Sequence, residues 1–237
     1  MTFHPTRRAL LRSGCAAAVV LPSLGGARPA FAQAHGAATT LSPEEALERL
    51  KEGNRAFVTD APYRAAEGRE RRLEIARGQT PFAVLVSCSD SRVPPELLFG
   101  RGLGELFIVR NAGNTVDTVA LGSIEYAVVE LGVPLVVVLG HERCGAVAAA
   151  VSVVTENATF PGSIGRMVEP IVPAVLLARE EGGDLLENAV RRNVGRVVER
   201  LRTEETVLAT PIAEGRLRVV GARYDLEDGI VEFFDEG

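Results

Sequence analysis

The chain has 237 residues, 46% of them hydrophobic and 24% charged, with 31 acidic against 26 basic side chains and a formal charge of −5. That length and composition suit one globular domain of ordinary size and exclude long disorder. An acidic balance with no basic stripe interleaved with aromatics excludes nucleic acid as the natural partner and favours small solutes.

Residues 1–32 differ from the rest. Arg7, Arg8 and Arg12 precede an apolar run from Cys15 to Leu24, and no acidic residue occurs before Glu44. This is the layout of a secretory signal peptide. Arg7-Arg8 followed by Ala9-Leu10-Leu11-Arg12 resembles a twin-arginine export signal, and Ala30-Phe31-Ala32 places small residues at both positions a signal peptidase reads. Cleavage after Ala32 and a periplasmic or secreted destination are the resulting expectations. About ten apolar residues are too few to span a bilayer, so no stable membrane anchor is expected. Cys15 does not suit a lipoprotein acceptor, because Arg12 stands where that signal wants an aliphatic residue. Removal of residues 1–32 takes away four arginines and no acids, which moves the formal charge from −5 to −9. It also removes Cys15 and His4, leaving Cys88, Cys144, His141 and His35. Residues 33–40 read as a small-residue spacer and 41–237 as a single domain.

The domain opens with Ser42-Pro43-Glu44-Glu45, a helix start with a Ser cap, Pro at the first helical position and Glu at the third. Leu47, Leu50, Phe57 and Val58 continue it at helical spacing, and a charged helical segment follows over about Tyr63 to Arg77, ended by Gly78. Pro81 to Cys88 is a continuous apolar run, as in a strand buried on both faces, and Glu105 to Arg110 is a second. Thr118 to Leu131 has helical spacing, Val133 to Leu139 is a third buried strand, and Cys144 to Val154 is an alanine-rich helix. Residues 163 to 203 look helical in two pieces separated by Gly182-Gly183. Arg216 to Tyr224 returns to a strand, and Glu227-Asp228-Gly229 turns it into Ile230 to Phe234, a terminal hairpin. Alternating strands and helices predict an α/β fold, with a central mostly parallel sheet flanked by helices, an antiparallel strand at its C-terminal edge and an N-terminal helical arm.

Gly100, Gly102 and Gly104 do not make a dinucleotide site, because a strand follows them where the fingerprint needs a strand before and a helix after. Asn157-Ala158-Thr159 matches a glycosylation acceptor, which a bacterial-type export route makes coincidental.

In an open parallel sheet the ligand crevice lies beyond the carboxyl ends of the strands. Cys88 closes the first buried strand, His141 closes the third, and Cys144 opens the next helix, so three ligands are expected to converge there. Two thiolates and one imidazole suit zinc, and three protein ligands leave a fourth position open, as in catalytic sites. In Cys88-Ser89-Asp90-Ser91-Arg92 a carboxylate and a guanidinium stand two apart in a loop. Such a pair can hold Asp90 ionised and oriented beside a metal, where it accepts a proton from bound water or binds the metal itself. Taken singly, the same residues read as a small buried cysteine, a satisfied histidine and a loop ion pair. A Cys88–Cys144 disulfide and a cysteine nucleophile with His141 as its base also remain open at this point.

The residues resemble the β-class carbonic anhydrases. That family's Cys-x-Asp-x-Arg and His-x-x-Cys signatures stand here as Cys88 to Arg92 and His141-Glu142-Arg143-Cys144, and the stretches "GELFIVRNAGN" and "GSIEYAVVELGVPLVVVLGHERCGA" are also similar. The likeness covers about residues 41 to 237. It implies one zinc ion on Cys88, His141 and Cys144, with Asp90, paired with Arg92, as catalytic base. Asp90 is also implied as a conditional fourth ligand in a closed state. The implied reaction is reversible hydration of carbon dioxide to bicarbonate and a proton, by attack of zinc-bound hydroxide. The resemblance further implies a homodimer or a dimer of dimers, with an arm of about residues 43 to 77 embracing the neighbour.

Three departures are visible. Gly102 occupies, by ungapped counting, the position where plant-type members carry a substrate-contacting glutamine. There is no Trp, around which some members build a regulatory bicarbonate pocket. Beyond His141 and His35 the mature chain has no histidine to shuttle protons. The rival readings are hydrolysis of an analogue such as carbonyl sulfide or carbon disulfide, and a non-catalytic zinc or bicarbonate-binding protein. The second is disfavoured because binding alone needs no poised base.

Overall fold

The computed structural model describes residues 38–61 and 65–234. The signal-type segment and His35 lie outside them. Helix α1 (Pro43–Val58) begins at the capping box read from the sequence: Glu45 N donates to Ser42 Oγ at 3.2 Å and Ser42 N to Glu45 Oε2 at 2.7 Å. Its Ala46, Leu47 and Leu50 are buried. Helix α2 (Gly68–Ile75) is shorter than the charged pattern suggested and buries none of its residues. Charged side chains tolerate a helix without supplying a face to bury.

Strand β1 (Ala83–Ser87), the single turn α3 (Pro95–Leu98) and β2 (Leu106–Arg110) follow, then α4 (Thr118–Val129), β3 (Leu135–His141) and α5 (Gly145–Glu156). The next stretch differs from the expected single helical piece. It forms α6 (Ser163–Val168), a 3-10 turn at Glu169–Ile171 and α7 (Val172–Ala178). Pro170 and Pro173 cause the break, since proline offers no N–H and its ring crowds the preceding turn. After Gly182-Gly183, α8 (Leu185–Thr203) starts at Asp184, whose side chain accepts from Glu187 N at 3.0 Å. Helix α9 (Thr206–Ala213), β4 (Arg218–Tyr224) and β5 (Val231–Phe234) complete the domain. Neither α3 nor α9 was expected, since each carries proline in a short stretch without clear periodicity.

The sheet order is β2-β1-β3-β4-β5. The first four strands are parallel and β5 is antiparallel to β4, as the hairpin reading required. Every residue of β1 and β3 is buried, because helices cover both faces. Alternation divides the core: Val84, Val86, Val136 and Val138 pack with α4, α8 and α9, while Leu85, Leu135, Val137 and Leu139 pack with α1, α3 and β5. The chain runs outward from β1 to β2, then returns to place β3 on the other side of β1. That reversal opens a crevice at the carboxyl ends of β1 and β3.

Candidate metal centre

Cys88 follows the last residue of β1, and His141 is the last residue of β3. Cys144 is the N-cap of α5. The two strands are hydrogen-bonded neighbours in register, Ser87 opposite Leu139, so their ends deliver these residues side by side. The turn between the ligands on β3 and α5 is tight, with Arg143 in the left-handed region at φ 51°. Such a residue carries strain that its surroundings must offset. The β4–β5 hairpin does so: Arg143 Nη2 donates to Glu227 Oε1 at 2.5 Å, Glu142 N to Tyr224 O at 2.9 Å, and Leu226 N to Glu142 Oε2 at 3.2 Å.

One donor atom from each of Cys88, His141 and Cys144 lies within 4.8 Å of the others, and all three residues are buried. The sulfurs are 3.9 Å apart and both cysteines are free, so the disulfide alternative is not what the fold forms. His141 Nδ1 lies 2.8 Å from Glu142 O. A carbonyl can only accept, so Nδ1 carries the hydrogen and Nε2 of the neutral ring is the bare nitrogen. That Nε2 is buried and has no hydrogen-bond partner among the described residues. A buried lone pair left empty is costly, and a metal ion is the group that two sulfurs and one bare imidazole nitrogen accommodate together. The residues therefore fit zinc. Around them Ala146, Val147, Val168 and Ile171 form an apolar cluster that includes both cysteines.

The two sulfurs also set each other's acidity. Cys88 is pushed far down, first by its hydrogen bond with Cys144 and also by the Gly113 amide, against the opposing effect of burial. Cys144 is pushed up by Cys88 and by burial. One proton shared between two sulfurs makes the first ionisation easy and the second hard, and a dication held by both sulfurs would favour loss of the second.

Asp90 and Arg92 pair as the sequence suggested. Arg92 Nε donates to Asp90 Oδ1 at 2.9 Å, Nη2 to Oδ2 at 2.8 Å, and the Arg92 amide to Oδ1 at 3.0 Å. These bonds hold the carboxyl well below the usual carboxylate range. Asp90 Oδ2 stands 3.9 Å from His141 Nε2, which places the carboxylate edge beside the donor cluster.

Two contributors escaped the sequence reading. Arg110, at the carboxyl end of β2, donates to Cys88 O at 2.9 Å and to Asp90 O at 2.7 Å, so it braces the backbone that carries both side chains. Gly113 donates its amide to Cys88 Sγ at 3.2 Å. A lone arginine ending an apolar strand at the crevice was the available signal for the first. Gly102, where a glutamine was sought, admits no side chain: a Cβ there would stand 2.3 Å from Ala66 O. A cavity of about 580 Å³ between α1 and β5 contains none of the site residues. A triatomic substrate needs no such volume.

A family model described as carbonic anhydrase matches residues 83–231, which include both ligand motifs. Carbonic anhydrase of Mycolicibacterium smegmatis is 42% identical over 191 residues, covering 81% of this chain and 93% of the relative. Carbonic anhydrase 2 of Mycobacterium tuberculosis is 43% identical over 189 residues, covering 79% and 91%. The β-carbonic anhydrase CafA of Aspergillus fumigatus superposes with a TM-score of 0.62 at 29% identity, over 82% of this chain and 91% of that one. The chain belongs to the β-class carbonic anhydrase family. A tetrameric β-carbonic anhydrase of Sordaria macrospora agrees, with a TM-score of 0.63 at 27% identity over 69% of this chain and 85% of that one.

Proposed function

We propose that this β-class carbonic anhydrase hydrates carbon dioxide reversibly to bicarbonate and a proton, with one zinc ion per chain held by Cys88, His141 and Cys144. The observation that carries the reading is the buried convergence of two free thiols and a bare imidazole nitrogen within 4.8 Å. Zinc bound to such a set acidifies water toward neutrality and so supplies hydroxide for attack on carbon.

The chain's own residues do the rest. Asp90, kept ionised by Arg92, accepts a hydrogen bond from the attacking oxygen and turns its lone pair toward the substrate. The Arg92 side of the pair is exposed to solvent. The Arg92 bonds engage both Asp90 oxygens, so ligation by Asp90 in a closed state requires that pair to break. Arg110 holds the Cys88–Asp90 segment, and the apolar cluster behind the sulfurs excludes competing water.

Two further expectations belong to this reading. Assembly as a homodimer or dimer of dimers is supported by the tetrameric Sordaria relative and by exposed Leu73, Leu97 and Leu103 along α2, α3 and the following loop. The apolar side of α1 packs on its own sheet, so α2 is the part of the arm with surface to offer a partner. Light scattering of the zinc-loaded protein tests this. Export to the periplasm or beyond is supported by the arginine pair and the Ala30-Phe31-Ala32 site, and N-terminal sequencing of the exported protein tests it.

The activity itself is tested by stopped-flow hydration with a pH indicator. Zinc-loaded protein is expected to be active, chelated protein inactive and zinc to restore it. No activity from zinc-loaded protein between about pH 6 and 9, with turnover of carbonyl sulfide instead, would replace the substrate and keep the site.

A further inference from the structure

Asn193 is a buried primary amide in the middle of α8, between the fully buried Val190 and Val194, and it is 3% exposed. Asparagine is a poor helix residue and an expensive one to bury, so its partner matters. Its Nδ2 donates to the carbonyl of Gly113 at 2.9 Å, across 80 residues of sequence. Gly113 is the residue whose amide donates to Cys88 Sγ at 3.2 Å. One glycine thus faces α8 through its carbonyl and the sulfur through its N–H.

The turn that carries it, Ala112–Asn114, is closed at its ends by Asn111, whose carbonyl accepts from Asn114 N at 2.9 Å and whose Nδ2 donates to Thr115 O at 3.0 Å, while the Gly113 carbonyl between them is held by Asn193. Asn114, at φ 46°, is left-handed, a conformation that costs a residue other than glycine. A Cβ on Gly113 would stand 2.7 Å from Ile171 Cδ1 and 3.1 Å from Ala146 Cβ, so the turn is pressed from one side while Asn193 secures the other.

We propose that Asn193 is a positioning residue for the metal-ligating sulfur of Cys88: by gripping the Gly113 carbonyl it aims the Gly113 amide at Sγ and so sets how tightly the centre keeps its zinc. This rests on the reading of Cys88, His141 and Cys144 as zinc ligands. The amide–sulfur bond draws charge from the ligand and fixes its direction, as outer-shell partners of metal ligands do.

The test uses Asn193→Leu, which keeps the shape and removes the donor, and Asn193→Asp, which keeps the size and opposes a carboxylate to the carbonyl. The control is Asn54→Leu. Asn54 is a second buried asparagine, 5% exposed, which joins α1 to Leu98 O, Gly229 O and Val231 N and touches no ligand. Zinc release to a chromogenic chelator and the thiolate-to-cobalt charge-transfer band of the cobalt-substituted protein are measured beside the melting temperature of the metal-free form. Either Asn193 variant is expected to release zinc at least about tenfold faster and to shift the cobalt band. Asn54→Leu is expected to lower the metal-free melting temperature with release and band unchanged. Asn193 variants that match wild type in both metal readouts, or change them no more than Asn54→Leu does, overturn the proposal. A wild-type protein that shows no thiolate-to-cobalt band overturns the zinc reading instead.

Discussion

Asp90→Asn separates placement from charge at the site. In the wild type three Arg92 groups donate to the carboxylate: the backbone amide and Nε to Oδ1 at 3.0 and 2.9 Å, and Nη2 to Oδ2 at 2.8 Å. An asparagine keeps the first two with its Oδ1 and presents an N–H₂ where Oδ2 stood, so the side chain stays in place while its charge and second acceptor are lost. The Arg92 side chain is 54% exposed and can turn its Nη2 to water, so the fold loses only a surface-type ion pair. The melting temperature should move by no more than about 3 °C. The oxygen removed lies 3.9 Å from His141 Nε2 and is not needed to complete the three-donor cluster, so zinc content should remain one per chain. Hydration should nevertheless fall by roughly 10² to 10⁴, the range for removing a positioned proton acceptor. Stopped-flow hydration, plasma-emission metal analysis and calorimetry on one preparation decide it. Activity within about threefold of wild type refutes the role given to Asp90, and activity that falls only in proportion to lost zinc makes Asp90 a ligand rather than a base.

Cys144→Ser should weaken zinc binding by more than about a hundredfold, beyond the loss typical of an outer-shell partner, as read by chelator competition. Protein stripped of metal and held in air should lose two titratable thiols as Cys88 and Cys144 join. Dioxygen then takes two electrons and two protons while the sulfurs close from 3.9 Å to about 2 Å, and zinc-loaded protein should keep both thiols. Asp225 anchors the β4–β5 turn, accepting from Asp228 N, Arg223 Nη1 and Glu227 N, which hold its pKa at about 2 against an ordinary 3.8. A depressed carboxylate stabilises the fold above its ordinary pKa, and that stability is lost as pH falls through the folded value. Asp225→Asn should therefore cost about 1 to 2 kcal/mol in urea unfolding at pH 7, with the gap to wild type closing between pH 4 and 2.

The buried strands, the antiparallel terminal hairpin, the capping box at Ser42 and the Cys88–His141–Cys144 set were all legible because each is a local pattern. An unbroken apolar run marks a strand covered on both faces, and soft ligands at its end mark the crevice. Composition and spacing thus determined the fold class and named the three residues that the structure gathers into a possible metal site. The sequence also determined the chemistry offered at the site, since Asp90 and Arg92 sit in one loop, close enough to pair without help from the rest of the chain. What only tertiary structure decided is the part of the site that depends on distant segments. Arg110 reaches Cys88 and Asp90 because β2 lies beside β1, and Gly113 reaches Cys88 Sγ because its turn is wedged between α5 and Ile171. Asn193 meets Gly113 across 80 residues because α8 packs over β3 and β4. His141 alone shows the division: its presence at a strand end was readable, but the freedom of its Nε2 depends on Glu142 O capturing Nδ1 and on burial that leaves no other partner. Such contacts have no period and no fixed spacing in the chain, and they exist only once packing has brought the layers together.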